Sequence, residues 1–205
     1  MSLAGAGAVG LNQLIEQRIS SNWTSLGDVE NLADLRGLIS ELMWTEVGSA
    51  LERVRDADGV FGTGLAEAIR CNLMIALPHR DTPTLLVYDE VANSIEVTFE
   101  APFFSLGSGG FQADPFLAFV KRIFWDDAAP KTIAAGLFCV LWTLDHVSRV
   151  NAGLGVGGRP NVAVLRRNDS TWTAERLNDD YLFEQMQAIP VVEDRLRSFR
   201  DRLEP

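Results

Sequence analysis

The chain has 205 residues, 47% apolar and 22% charged, which is ordinary globular usage and suits one compact domain or at most two small ones. Its 28 Asp and Glu outweigh 18 Lys and Arg, so an acidic surface repels phosphate backbones and nucleic-acid binding is disfavoured. Cys71, Cys139, His79 and His146 are too few for a disulfide scaffold or a cysteine-built metal site, and the apolar stretches read as short of a membrane span. The expectation is no metal, no cofactor and no membrane.

The opening residues have no basic region and no long apolar stretch, so a secretory signal is not expected and a cytoplasmic location is. Ala4 to Gly10 reads as a flexible Ala/Gly run. Leu11, Leu14, Ile15 and Ile19 then recur at spacings of three and four, the stripe of an amphipathic helix that ends at Ser20-Ser21-Asn22. A longer helix is predicted from Val29 to Arg55, with Leu32, Leu35, Leu38, Ile39, Leu42, Met43, Val47, Leu51 and Val54 as its stripe. Gly37 and Gly48 weaken it by about 1 kcal/mol each relative to Ala. Asp56-Ala57-Asp58-Gly59 reads as a loop.

The period then changes. Asn72 to Leu77 is nearly all apolar, as in a strand buried on both faces. Pro78 to Pro83 is a polar turn, Thr84 to Asp89 a second strand, and Ile95 to Phe99 an alternating third. Phe103 to Leu106 is predicted as a fourth, running into Gly107-Ser108-Gly109-Gly110. Helices return from Phe111 to Trp125, with Pro115 expected in the first turn, and from Thr132 to Val150. A Gly-rich loop, Gly153 to Gly158, leads to strands at Asn161 to Leu165 and Thr171 to Ala174. A charged amphipathic segment from Asp179 to Leu203, interrupted at Pro190, forms a C-terminal helical extension over 179–205. Segregated helices and short-linked strands mean α+β, an antiparallel, sandwich-like sheet flanked by helix pairs in a single domain over 1–205.

The order of several motifs resembles a proteasome-type subunit of the N-terminal-nucleophile hydrolase fold. The run Asn72 to Leu77, then Thr84 to Asp89, then Ile95 to Phe99 resembles that family's strand meander. Phe104-Ser105-Leu106-Gly107-Ser108-Gly109, followed by Ala113 and a helix, resembles its Gly-Ser-Gly strand end. Val156-Gly157-Gly158 before an alternating strand resembles its Gly-Gly turn, and Gly7-Ala8-Val9-Gly10 stands where the family enters its first helix. The resemblance spans roughly residues 5 to 175.

In that family the nucleophile is a threonine on an opening strand, supported by a carboxylate and a lysine. None of the three has a counterpart here, and the opening strands read as missing, through truncation or supply by a partner. Asn151 and Val156 stand where the resemblance implies a carboxylate and a hydroxyl that orient the terminal amine. Only Ser108 matches, with a supporting role in proton transfer.

Other candidates have plainer readings. Ser2 becomes terminal if Met1 is removed, yet a nucleophile needs fixed geometry and Ser2 precedes the Ala/Gly run. Gly153 to Gly158 follows a helix and opens a strand, the reverse of a dinucleotide loop. The Gly107 to Gly110 turn opens a helix and offers amides to a small anion, without the lysine of a phosphate loop. Cys139 reads as core, and Cys71 has no His beside it for a dyad. His146 suits a helix C-terminus, His79 a solvated turn, and Arg195 to Arg202 an ion-paired helix face.

The sequence therefore points to a proteasome-like subunit, catalytically inactive as it stands and structural or assembling in role. The alternatives are a threonine peptidase whose nucleophile lies upstream, taking peptides only if opening strands are supplied, and an anion-binding module. Self-association into a ring or dimer is expected, through the Val29 to Arg55 helix and through unpaired strand edges. The Thr132 to Val150 helix is expected to be buried.

Overall fold

The structure, a computed structural model, describes residues 1–61, 69–125, 131–151 and 157–203. Its elements in order are β1 (Ser2–Gly7), α1 (Val9–Ser21), α2 (Trp23–Gly27), α3 (Leu32–Phe61), β2 (Cys71–His79), β3 (Thr82–Tyr88) and β4 (Ser94–Val97). They continue with α4 (Gly110–Phe124), α5 (Ile133–Val150), β5 (Ala163–Asn168), β6 (Thr171–Arg176), α6 (Asp179–Met186) and α7 (Ala188–Arg200). The fold is α+β, with antiparallel sheets and helices. Contacts divide the chain into two compact units, Met1–Gly107 with Leu165–Ala174, and Ser108–Val164 with Glu175–Pro205.

In the first unit a four-stranded antiparallel sheet has the order β1-β2-β3-β4. Alternation along β2 puts Cys71, Leu73, Ile75 and Leu77 on one buried face, while the residues between them are half-buried. The strand is thus buried on one face rather than two. Leu86 and Tyr88 of β3 stand opposite Ile75 and Leu73 and join the same core. Against it lie Leu11, Ile15 and Ile19 of α1 and Leu35, Ile39, Met43, Val47 and Ala50 of α3. Each fully buried Ile or Leu contributes about 1.5–3 kcal/mol. Leu14, Leu38 and Leu51, expected on the apolar stripes, are exposed instead.

Turns and side-chain clamps hold the sheet to its helices. Arg80 and Asp81 both have positive φ, 45° and 63°, the two-residue turn whose twist matches its strands. This keeps the chain in strand up to His79, so His79 is half-buried with Nε2 sealed and unpartnered among the described residues, not solvated in a turn. Asp89 accepts from the amides of Val91 and Asn93 and shapes the β3–β4 turn. Arg36 of α3 donates to Ser94 Oγ at 2.8 Å and to Ser94 O at 2.6 Å, and Ser40 Oγ donates to Ala92 O at 2.8 Å. An Arg18–Glu46 ion pair joins α1 to α3.

Three local readings are corrected in this unit. Ser2 to Gly7 is a strand paired with β2 from Ser2↔Ala76 to Gly7↔Cys71, not a flexible run. These residues have weak strand propensity, but β2 offers them a nine-residue template. Residues 103–106 form no strand, so β1 rather than this segment is the fourth strand of the sheet. Residues 56–61 continue α3 instead of looping, since a single late glycine costs a long helix only about 1 kcal/mol.

In the second unit α4 and α5 pack through Val120, Cys139 and Trp142, with Phe116, Phe124 and Phe138 around them. Phe116 meets Trp142 edge-on at 5.5 Å between centroids. Ile189 of α7 closes this cluster, and Leu182 of α6 packs on Leu137 and Leu141. Thr132 caps α5 by accepting from Ala135 N, and Asn178 caps α6 by accepting from Tyr181 N. Pro115 lies in the second turn of α4, where its missing N–H removes one helical bond. Pro190 lies in the first turn of α7, and the break before it falls at Gln187.

The hairpin β5–β6 starts and ends later than the sequence pattern suggested. Helix α5 is only half interior, since Ile133, Val140, Leu144 and Val150 are exposed. Its 18 residues, with mean hydropathy 1.3, are long and apolar enough for a bilayer span, which corrects the expectation that no stretch approaches one. Helices in protein cores pass the same test, and α5 buries Leu137, Leu141, Trp142 and Val147 against its neighbours.

Candidate functional site

Ser108 sits on an exposed turn between Gly107, whose φ is +87°, and the first residue of α4. Gly109 precedes the helix, and its carbonyl accepts from Gln112 N and Ala113 N. The first turn of α4 carries no acidic residue, while Lys121 and Arg122 lie at its far end and the exposed Asp114 lies near its start. The turn therefore presents a hydroxyl to solvent at the start of a helix.

Ser2 is the first residue of β1, half-buried and opposite Ala76. Burial lowers the α-amine of Met1 below its ordinary range. Gly153 to Val156 lie outside the described residues; Gly157 and Gly158 are described, and Gly158 has φ +102°. Asn151, the C-cap of α5, is 5% exposed.

The two thiols are core groups. Cys71 and Cys139 are buried and free, and burial raises both above the ordinary thiol range; nearby Glu90 adds to the effect at Cys71. Burial pushes the Tyr88 phenol far up as well, against the pull of Arg36. His146 stacks on Phe116, centroids 4.2 Å apart and planes 7° from parallel, so its role is packing more than helix-end charge. Among the described residues no three His, Cys, Asp or Glu side chains gather to hold a metal.

Shallow grooves lie among the described residues. One of about 420 Å³ in the second unit is lined by Arg159, Asp179, Leu182, Phe183 and Met186, with Arg159 paired to Asp179 at 3.5 Å. One of about 500 Å³ in the first unit lies between the start of α1 and the later half of α3, lined by Val9, Leu14, Arg53 and Val54. Neither lining contains Ser, Thr, Cys or His.

The surfaces are more informative than the grooves. Among the described residues strand β1 is an edge of its sheet. Ala8 N donates to Arg70 O at 2.8 Å, and bonded pairs alternate along an antiparallel ladder, so Ala6, Ala4 and Ser2 bond inward to β2. Leu3 and Gly5 then aim their amides and carbonyls at the open edge. Helix α3 turns a second surface outward, with Trp44 47% and Leu51 39% exposed. The sequence reading named this helix as an assembly surface but took Leu51 for core. Helical angle would have separated it from Ile39 and Met43.

This order of strand, helix layer, strand meander and second helix pair, together with the solved structures the chain resembles, gives a proteasome-type fold. Solved structures with this fold include Anbu from Hyphomicrobium sp. strain MC1, 18% identical with a TM-score of 0.64, covering 99% of this chain and 79% of that one. Anbu, described as an ancestral beta-subunit, from Yersinia bercovieri is 17% identical with a TM-score of 0.66 and the same coverage. At this identity the likeness defines the fold alone. By sequence the chain matches no family model and no curated protein.

Proposed function

We propose that this chain is a proteasome-like subunit that works by assembling with other chains and carries no peptidase centre of its own. The open edge of β1 supports this reading most directly. Ser2 to Gly7 contains no charge and no proline, the devices that usually stop an edge from pairing. The small residues Ala4 to Gly7 leave room for another strand to approach. The neighbouring Ala4 and Gly5 are exposed. Ser108 has a supporting rather than a nucleophilic place in this reading.

The test is a native mass of the full chain together with labelling by a hydroxyl-directed peptidase inhibitor. A mass at a multiple of 22.6 kDa without labelling is expected. A monomer at every concentration would remove the assembly role. Labelling of a serine or threonine would replace this reading with that of an N-terminal-nucleophile peptidase.

A further inference from the structure

We infer that the outer face of α3 pairs with the same face of a second copy about a two-fold axis, which rests on the assembly reading above and gives it a surface. Gly37, Glu41, Trp44, Gly48, Leu51 and Arg55 recur at spacings of three and four and form one stripe. It lies opposite the buried stripe of Leu35, Ile39, Met43 and Val47. Trp44 and Leu51 stand in solvent, 47% and 39% exposed. A Cβ on Gly37 or Gly48 would meet nothing within 4 Å. In the chain alone these two glycines weaken the helix and make no close contact in return.

The stripe is complementary to itself. Set antiparallel about the midpoint between Trp44 and Gly48, two such helices place each indole over the other copy's glycine. Moving outward from that centre, Glu41 of one copy comes beside Leu51 and Arg55 of the other. Apolar contact and opposite charge therefore arise together, and the two-fold makes every contact twice. A helix from Gly37 to Arg55 runs about five turns, or about 27 Å, enough for the full pattern. One surface supplies both the projecting ring and the gap that takes it, so the occupant is a second copy of this chain.

The experiment is sedimentation and native mass measurement on the full chain and on variants along this stripe. The wild type is expected to form a dimer or an even-numbered assembly. Gly48→Ala should weaken pairing by roughly tenfold or more while leaving the helix at least as stable. Glu41→Arg and Arg55→Glu should each weaken it, and the double reversal should restore it. If the assembly ignores all of these changes but is lost in Leu144→Glu on the exposed side of α5, the inference is overturned while the assembly reading stands. A wild type that stays monomeric at high micromolar concentration overturns both.

Discussion

The carbonyl oxygen of Arg70 stands 2.1 Å from where a Cβ on Gly7 would lie. Gly7 also has φ +97°, so two constraints meet at the joint between β1 and α1. The same Arg70 carbonyl accepts from Ala8 N at 2.8 Å, which fixes the first turn of the helix to the start of β2. Gly7 is thus what lets a strand of small residues turn directly into the core helix α1.

Gly7→Ala should be severely destabilising. The positive φ alone costs an L-residue about 1–2 kcal/mol, and displacing the Arg70 carbonyl adds to that. The melting temperature should fall by several degrees, at about 2–4 °C per kcal/mol for a chain of this size. An unchanged melting temperature would mean that the joint rearranges freely.

Gly37→Ala should act in the opposite direction. Gly37 lies on the exposed face of α3 with open space where a methyl would go. The substitution should stabilise the isolated chain by up to about 1 kcal/mol through helix propensity. Chemical denaturation at low protein concentration would measure it; a loss of stability would show a packing role for this position.

Arg36 links α3 to β4 through Ser94. Arg36→Ala removes both bonds to Ser94, and loss of hydrogen bonds from a charged donor costs about 1.5–3 kcal/mol. Ser94→Ala removes only the hydroxyl acceptor and should cost about 1 kcal/mol. Urea denaturation of the two variants should give that order, and the reverse order would place the clamp elsewhere.

Stability should be lost in alkali. Burial raises the folded-state values of Cys71, Cys139 and Tyr88 above the ordinary 9.0 for the thiols and 10.0 for the phenol. The unfolded chain therefore gives up protons first, and unfolding becomes easier as pH rises past each ordinary value. Their contribution is complete below about pH 9 and declines above it. Thermal melts between pH 8 and 11 should show the fall, and Tyr88→Phe should flatten the part above pH 10. For the same reason neither thiol should react readily with a thiol reagent in the native protein at neutral pH.

The helices were legible because burial repeats along them. Leu11, Ile15 and Ile19 in α1, and Leu35, Ile39, Met43 and Val47 in α3, are where a 3.6-residue period puts them. The meander was legible from β-rich runs and turn residues, and the α+β class followed from their order. The candidate site was hardly legible at all. The sequence placed Ser108 on a Gly-rich turn and named the α3 helix as a surface, but the pattern that makes α3 self-complementary needs exposure values for Trp44, Gly48 and Leu51.

Sequence alone determined the α+β class, most elements and the cores of α1 and α3, because periodic burial is a local property of the chain. The tertiary structure decided what depends on neighbours distant in sequence. Ser2 to Gly7 has no strand signal, yet it pairs with Cys71 to Ala76, since an exposed row of backbone groups on β2 outweighs local propensity. Phe103 to Leu106 has the composition of a strand, yet these residues form none, and the fourth strand of the sheet is β1. His79 looks like a turn residue but is held in strand by the positive φ of Arg80 and Asp81 beyond it. For Ser2 to Gly7 a backbone hydrogen-bond partner far along the chain made the choice.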